Sequence, residues 1–331
     1  MVHPKLTILM PAFNVDSYIS QAICSILSQT YINYKFIILD DGSDDNTRNI
    51  ISSFERIDRR IIFLSNDKNM GILYSRQRLV DLVDTEFFTW MDADDIAPIE
   101  RIELQMNTIK SSPELVAVGG YNKFFGDKNM VCVVPCEPED IKASLLVGNV
   151  MTMPSMIRTS SFKSSGFSFV DCGVNSAEDY AMWSKLVRCG ELRNLPIVVN
   201  YYRRHKTQES TQFIDRQNKM AKNVIVDMFS YVNVNVADDI VDCVRLFQGE
   251  TATVCNVFKI ARLYKEAILN NKEIQFFNER FLKKHLANSF RRHCKILGGY
   301  GVFVFVFYFG IMEFFRGEQY GVSFIKYCCR K

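Results

Sequence analysis

The sequence predicts an α/β fold, with a mostly parallel central sheet flanked by helices and a helical C-terminal extension. Three observations predict it. Apolar runs of strand length alternate with stretches of helical periodicity through the first hundred residues, those runs are continuous, and carboxylates follow two of them. Continuous apolar strands are covered on both faces, as in a parallel sheet with helices on each side.

Leu6-Thr7-Ile8-Leu9-Met10 is the first predicted strand. Tyr18, Ile19, Ala22, Ile23, Ile26 and Leu27 follow at helical spacing, with Asp16 as the N-cap. Phe36-Ile37-Ile38-Leu39 leads into Asp40-Asp41-Gly42-Ser43, after which Ile50, Ile51, Phe54 and Ile57 mark a second amphipathic helix. Two more runs, Ile61-Ile62-Phe63-Leu64 and Phe87-Phe88-Thr89-Trp90-Met91, bracket a helical stretch between Ile72 and Val83. After Pro98 a helix reaches Ile109, and a strand from Leu115 to Val118 is closed by Gly119-Gly120. The order is less regular from there to His205 and helical from Gln217 to Leu286. The predicted organisation is one domain over 1–215, a helical extension over 216–290 and a tail over 291–331.

Composition narrows the function classes. A chain of 331 residues with 48% hydrophobic and 23% charged residues has ample material for a core. Its net charge of +3, with no stripe of Lys and Arg interleaved with aromatics in the first two hundred residues, argues against a nucleic-acid partner. The ten cysteines are scattered, and neither Cys132 with Cys136 nor Cys328-Cys329 has the second Cys or His pair that structural zinc requires. Reduced thiols, and an N-terminus that enters a strand without a secretory apolar segment, predict a cytoplasmic location. Residues 296–312 carry no charge, with Arg291, Arg292, His293 and Lys295 before them and Arg316, Lys326, Arg330 and Lys331 after. This stretch is short for a span and predicts peripheral contact with a membrane through residues 291–316, with a full span or a buried element as alternatives.

Ligands of open α/β sheets bind beyond the carboxyl ends of the strands. Asp40 and Asp41 stand at one such end, and Asp92, Asp94 and Asp95 at another. Carboxylates gathered without a basic neighbour in sequence repel unless a cation neutralises them, and oxygen ligands favour Mg²⁺ or Mn²⁺. Such ions complete their shells with water and substrate phosphates, which suggests a diphosphate ligand. The plain alternative is a pair of solvated turns, since Asp, Gly and Ser are ordinary turn residues.

The order of short motifs resembles the family 2 glycosyltransferases, which have the GT-A fold with its Rossmann-like sheet. The matching stations are Pro11-Ala12-Phe13-Asn14, Tyr18-Ile19, Asp40-Asp41-Gly42-Ser43, Asn69-Met70-Gly71-Ile72, Asp92-Ala93-Asp94-Asp95, Pro98 with Arg101, Gly166-Phe167, Glu178-Asp179-Tyr180 with Trp183, and Tyr202-Arg203-Arg204-His205. The resemblance implies a nucleotide-binding half ending near residue 120 and an acceptor half over 121–215. It implies that Pro11, Ala12, Asn14, Asp40, Asp41, Asn69, Gly71, Arg76, Asp92, Ala93, Glu178 and His205 line the nucleotide-sugar donor. It further implies that Asp94, with His205 on a closing loop, holds Mn²⁺ or Mg²⁺, and that Asp179 is the general base of an inverting transfer. The acceptor would be a glycan or a lipid-linked acceptor, and the apolar tail puts the transfer at the inner face of the cytoplasmic membrane as an expectation. A helix start at Glu178-Asp179 is compatible with that role, and its dipole is expected to lower the Asp179 pKa. Trp183 is expected to pack in the core.

The first strand ends without Gly-x-Gly-x-x-Gly, which disfavours a dehydrogenase, and no Gly-Lys-Ser/Thr marks a P-loop. A sugar nucleotidyltransferase or a catalytically silent binding protein of the same fold remain the alternatives.

Overall fold

The computed structural model describes residues 4–126, 129–172, 177–204, 214–236, 254–294, 297 and 300–315. In chain order the elements are β1 (Leu6–Ala12), α1 (Asp16–Leu27), β2 (Tyr34–Asp40), α2 (Thr47–Ile57), β3 (Ile61–Ser65), α3 (Ile72–Asp81), β4 (Phe87–Trp90), α4 (Arg101–Ser111) and β5 (Leu115–Gly126). They continue as β6 (Met130–Cys132), α5 (Pro138–Ser144), β7 (Met156–Arg158), α6 (Thr159–Ser164), α7 (Glu178–Leu186), β8 (Glu191–Arg204), α8 (Ile214–Ser230), α9 (Val254–Ile274), α10 (Glu279–Cys294) and α11 (Tyr300–Phe315).

The sheet order is β3-β2-β1-β4-β7-β5-β6, with β8 paired to β5. β1, β2, β3 and β4 are mutually parallel, with Leu6 opposite both Tyr34 and Phe87. All seven residues of β1 are buried, as its central place requires. β7 enters antiparallel to β4 and β5, and β8 runs parallel to β5. The result is the α/β fold the apolar runs predict, and the carboxyl ends of β1, β2 and β4 share one edge.

Two local expectations are corrected. Gly119-Gly120 does not close its strand, because β5 runs on to Gly126. A Cβ at Gly119 would lie 2.6 Å from the Ser155 hydroxyl, and one at Gly120 would strike the Val199 side chain, so the glycines admit close neighbours inside the sheet. Asp16 is the first residue of α1 and not its cap; the N-cap position is Val15, and the helix start is held by Asp45 and Thr47, which accept from the Asp16 N–H (3.0 Å) and Val15 N–H (2.9 Å).

The chain divides into two compact units, residues 1–138 with 150–214, and residues 139–149 with 215–331. The segment 139–149 thus belongs to the second unit although it lies within the predicted acceptor half. Inside that unit Asp140 on α5 accepts from Lys284 (2.9 Å) and pairs with His285 (2.5 Å) on α10. Phe290 stacks on Phe305 at 6.2 Å, and Arg291 lies 5.0 Å over the same ring, which seats α11 on α10. Arg291 and His293 are buried, so part of the basic flank predicted before the apolar stretch is packed away. Among the described residues no helix is long and apolar enough to cross a membrane.

Candidate active site

The first wall of the site is a pair of interlocked loops after β1 and β2. Pro11 and Ala12 are buried in β1, where they face Leu39 and Asp40, and they carry Asn14 to the exposed edge. Asn14 adopts a left-handed φ of 50°, its N–H donates to Ser43 Oγ (3.0 Å), and its Oδ1 accepts from the Asp44 N–H (3.0 Å). Asp40 is fully buried and accepts from Arg48 Nε at 3.2 Å and the Ser43 N–H at 3.3 Å. Asp41 accepts from Met70 N–H (2.9 Å), Gly71 N–H (2.9 Å) and Asn66 Nδ2 (2.5 Å). The Asp41 carboxylate therefore gathers the Asn69–Gly71 loop onto the turn after β2. Gly42 permits that approach: at φ +73° it lies where a Cβ would come within 2.6 Å of Lys68 Cα.

The second wall follows β4. Ala93 is buried, while Asp92 and Asp94 are half-buried on the loop between β4 and α4. Arg76 on α3 reaches across with Nη2 3.4 Å from Asp92 and pairs through Nη1 with Glu178 at the start of α7; its guanidinium carbon lies 5.8 Å from the Trp90 ring centroid. One arginine thus joins the acidic loop to the segment bearing Asp179. Burial pushes the Asp92 carboxyl up, opposed by Arg76 and assisted by the charges of Asp94 and Glu178.

Asp179 sits in the first turn of α7, and the Tyr180 N–H donates to its Oδ1 at 2.7 Å. Its pKa is raised to about 6, first by burial and then by the Glu178 charge, with the Tyr180 hydrogen bond and Arg76 opposing. The expected lowering by the helix dipole is therefore corrected in sign. Trp183, one turn on, is wholly buried and packs in the core as expected.

In the sequence Asp95 counts only among the carboxylates of the acidic cluster, and Arg101, Asn200 and Arg203 have no assigned role, yet these residues hold the loop in place. Asp95 is buried and accepts from Asn200 Nδ2 (2.6 Å) and the Arg203 N–H (2.9 Å), both on β8. Burial and the neighbouring Asp92 and Asp94 charges push its carboxyl well up. Arg101 lies buried beneath the loop with Nη2 3.2 Å from the Trp90 carbonyl, and burial lowers its pKa to about 10. Arg203 and Arg101 fall in motifs noticed in the sequence, whereas Asn200 carried no local signal.

His205 lies outside the described residues. Among the described residues no group of three or more His, Cys, Asp or Glu could hold a metal. What they do present is two neighbouring oxygen donors, Asp92 and Asp94, whose mutual repulsion a cation would relieve. That donor set fits a hard divalent ion which takes its other ligands from water and a diphosphate.

Residues 7–131 match the model of Glycosyl transferase family 2. Over that segment the chain is similar to the family 2 glycosyltransferases. An uncharacterized glycosyltransferase of Haemophilus influenzae is 28% identical over 248 residues, covering 72% of this chain and 77% of the relative. The Escherichia coli UDP-Glc:alpha-D-GlcNAc-diphosphoundecaprenol beta-1,3-glucosyltransferase WfaP is 27% identical, covering 66% of this chain and 86% of that one. The crystal structure of S. aureus TarS 1-349 in complex with UDP-GlcNAc superposes with a TM-score of 0.58 at 14% identity, covering 95% of this chain and 92% of the other. This last likeness establishes the GT-A fold. The family segment of this glycosyltransferase includes the acidic loop after β4 but ends before Glu178, Asp179 and Arg203.

Proposed function

We propose that this glycosyltransferase is an inverting, metal-dependent enzyme that moves a sugar from a UDP-linked donor to a glycan or lipid-linked acceptor in surface polysaccharide synthesis. The observation that carries the reading is the Arg76 bridge, which links Asp92 on the acidic loop to Glu178 beside Asp179. Donor and base chemistry then lie side by side. Pro11, Ala12 and Asn14, with the Asn69–Gly71 loop that Asp41 holds and the turn that Asp40 anchors, form the nucleotide side; Arg76, Asp92 and Ala93 form the sugar-diphosphate side. Mn²⁺ or Mg²⁺ would be held by Asp94, with His205 from the following segment, and would neutralise charge on the departing diphosphate.

The chain's own residues account for the remaining chemistry. An acceptor hydroxyl is a weak nucleophile, and Asp179 takes its proton as the oxygen bonds to the anomeric carbon. The bond from that carbon to the diphosphate oxygen breaks in the same displacement, and the nucleoside diphosphate leaves with the electron pair. A carboxyl with a pKa of about 6 is ionised at neutral pH yet basic enough to hold the proton. Names of relatives support the substrate classes: WfaP is named for a UDP-Glc donor and a diphosphoundecaprenol-linked acceptor.

Asp179→Asn tests the assignment. It is expected to lower kcat by about 10²- to 10⁴-fold with UDP affinity unchanged; a variant retaining wild-type turnover would remove Asp179 from the role. A panel of nucleotide sugars tested for Mn²⁺-dependent hydrolysis identifies the donor, and hydrolysis of none of them would favour the silent binding protein.

A lipid-linked acceptor would be met at the cytoplasmic face of a membrane, and α11 supports that part of the reading. Tyr300, Phe303 and Phe307 are 79%, 74% and 80% exposed at i, i+3 and i+7 of one helix, an aromatic face suited to the interfacial region of a bilayer.

A further inference from the structure

Asp94 is useful to a diphosphate only if its backbone is held still, and the residues that hold it come from the far end of the sheet. The loop after β4 is zipped to the end of β8: the Ile96 N–H donates to the Tyr201 carbonyl (3.1 Å) and the Tyr201 N–H returns to Ile96 (2.9 Å). Asn200 and the Arg203 N–H occupy both oxygens of buried Asp95. The Arg203 side chain completes the clamp, donating from Nε to the Asp94 carbonyl (2.8 Å) and from Nη2 to Gln21 Oε1 on α1 (2.7 Å). Its guanidinium carbon lies 4.9 Å from the Tyr18 ring centroid and 4.6 Å from that of Phe125, so its rotamer is set by aromatic neighbours on two other elements.

We propose that Arg203 is a positioning residue for the donor-metal site, fixing the Asp94 main chain so that the Asp94 carboxylate meets the cation bound with the nucleotide diphosphate. Asp95 is then the anchor of the loop, withdrawn from ligation because both its oxygens are engaged by β8. The guanidinium is suited to this task because its planar fork reaches a carbonyl and an amide oxygen at once, which a lysine ammonium cannot reproduce. The inference rests on Asp94 being the metal ligand, and the test separates the two.

Calorimetric titration of UDP into the full chain, at a series of Mn²⁺ concentrations, is performed on wild type, Asp94→Ala, Arg203→Met and Arg203→Lys, each with its melting temperature. Arg203→Met is expected to raise the Mn²⁺ concentration that half-saturates UDP binding by about tenfold or more, the scale of losing a charge-assisted hydrogen bond. Metal-free UDP binding should change far less. Arg203→Lys should fall between Met and wild type, and it decides the matter if Arg203→Met does not fold. A lowered melting temperature with wild-type Mn²⁺ dependence in the Arg203 variants would show a purely structural residue and overturn the proposal. If Asp94→Ala itself keeps wild-type Mn²⁺ dependence, the metal assignment fails first and the inference with it.

Discussion

Asp179 shows two opposing effects on one carboxyl. A helix N-terminus favours its charged form by about 0.3–1 kcal/mol, less than one pKa unit, whereas burial can shift a carboxyl by up to about 3–5 units. Burial and the adjacent Glu178 charge win, and the pKa rises to about 6. Because the base must be deprotonated, kcat/KM should rise with pH through about 6 and level off above it. Glu178→Gln removes the like charge that helps raise the pKa and leaves Arg76 nearer to Asp179 alone, so the acidic limb should move to lower pH. A pH-rate profile of that variant with an unmoved limb would show that Glu178 does not tune the base.

At the scale of elements, β5 and α11 carry separate consequences. β5 runs through two glycines because Asn194, Ser155 and Val199 occupy the space a Cβ would need. Gly120→Val forces Val199 and the β8 backbone apart, and overpacking of this kind costs about 1–3 kcal/mol, readable as a lower denaturation midpoint. A midpoint equal to wild type would mean that β8 yields without cost. On α11, replacing exposed Phe303 and Phe307 by Ser leaves the Phe290–Phe305 contact intact. Sedimentation with anionic vesicles should fall while UDP-sugar hydrolysis persists; equal sedimentation would assign the aromatic face to something other than lipid.

For the whole molecule, binding should appear as stability. A ligand held only by the folded state at a hundred times its Kd adds about 2.7 kcal/mol, which for a domain of this size raises the melting temperature by about 5–10 °C. UDP with Mn²⁺ should produce such a shift, and Asp94→Ala should reduce it to that of UDP alone. An equal shift without metal would argue for a metal-independent site.

The apolar runs were enough by themselves to determine the parallel core. Leu6–Met10, Phe36–Leu39 and Phe87–Trp90 are buried strands because period and polarity are local properties that burial on two faces imposes directly, whereas Ile61–Leu64 forms the edge strand β3, in which Ile61 is buried and Ile62 is exposed. The acidic ends were legible for the same reason, since each directly follows a strand. What the carboxylates touch was not. Asp41 turned out to gather the Asn69–Gly71 loop and Asp95 to anchor on Asn200 and Arg203, partners 105 and 108 residues from Asp95 in sequence. Only the tertiary structure decided that Arg76 joins Asp92 to Glu178 and that Asp179 is a raised carboxyl, because hydrogen-bond partners and desolvation are set by packing between elements and leave no periodic trace in the chain.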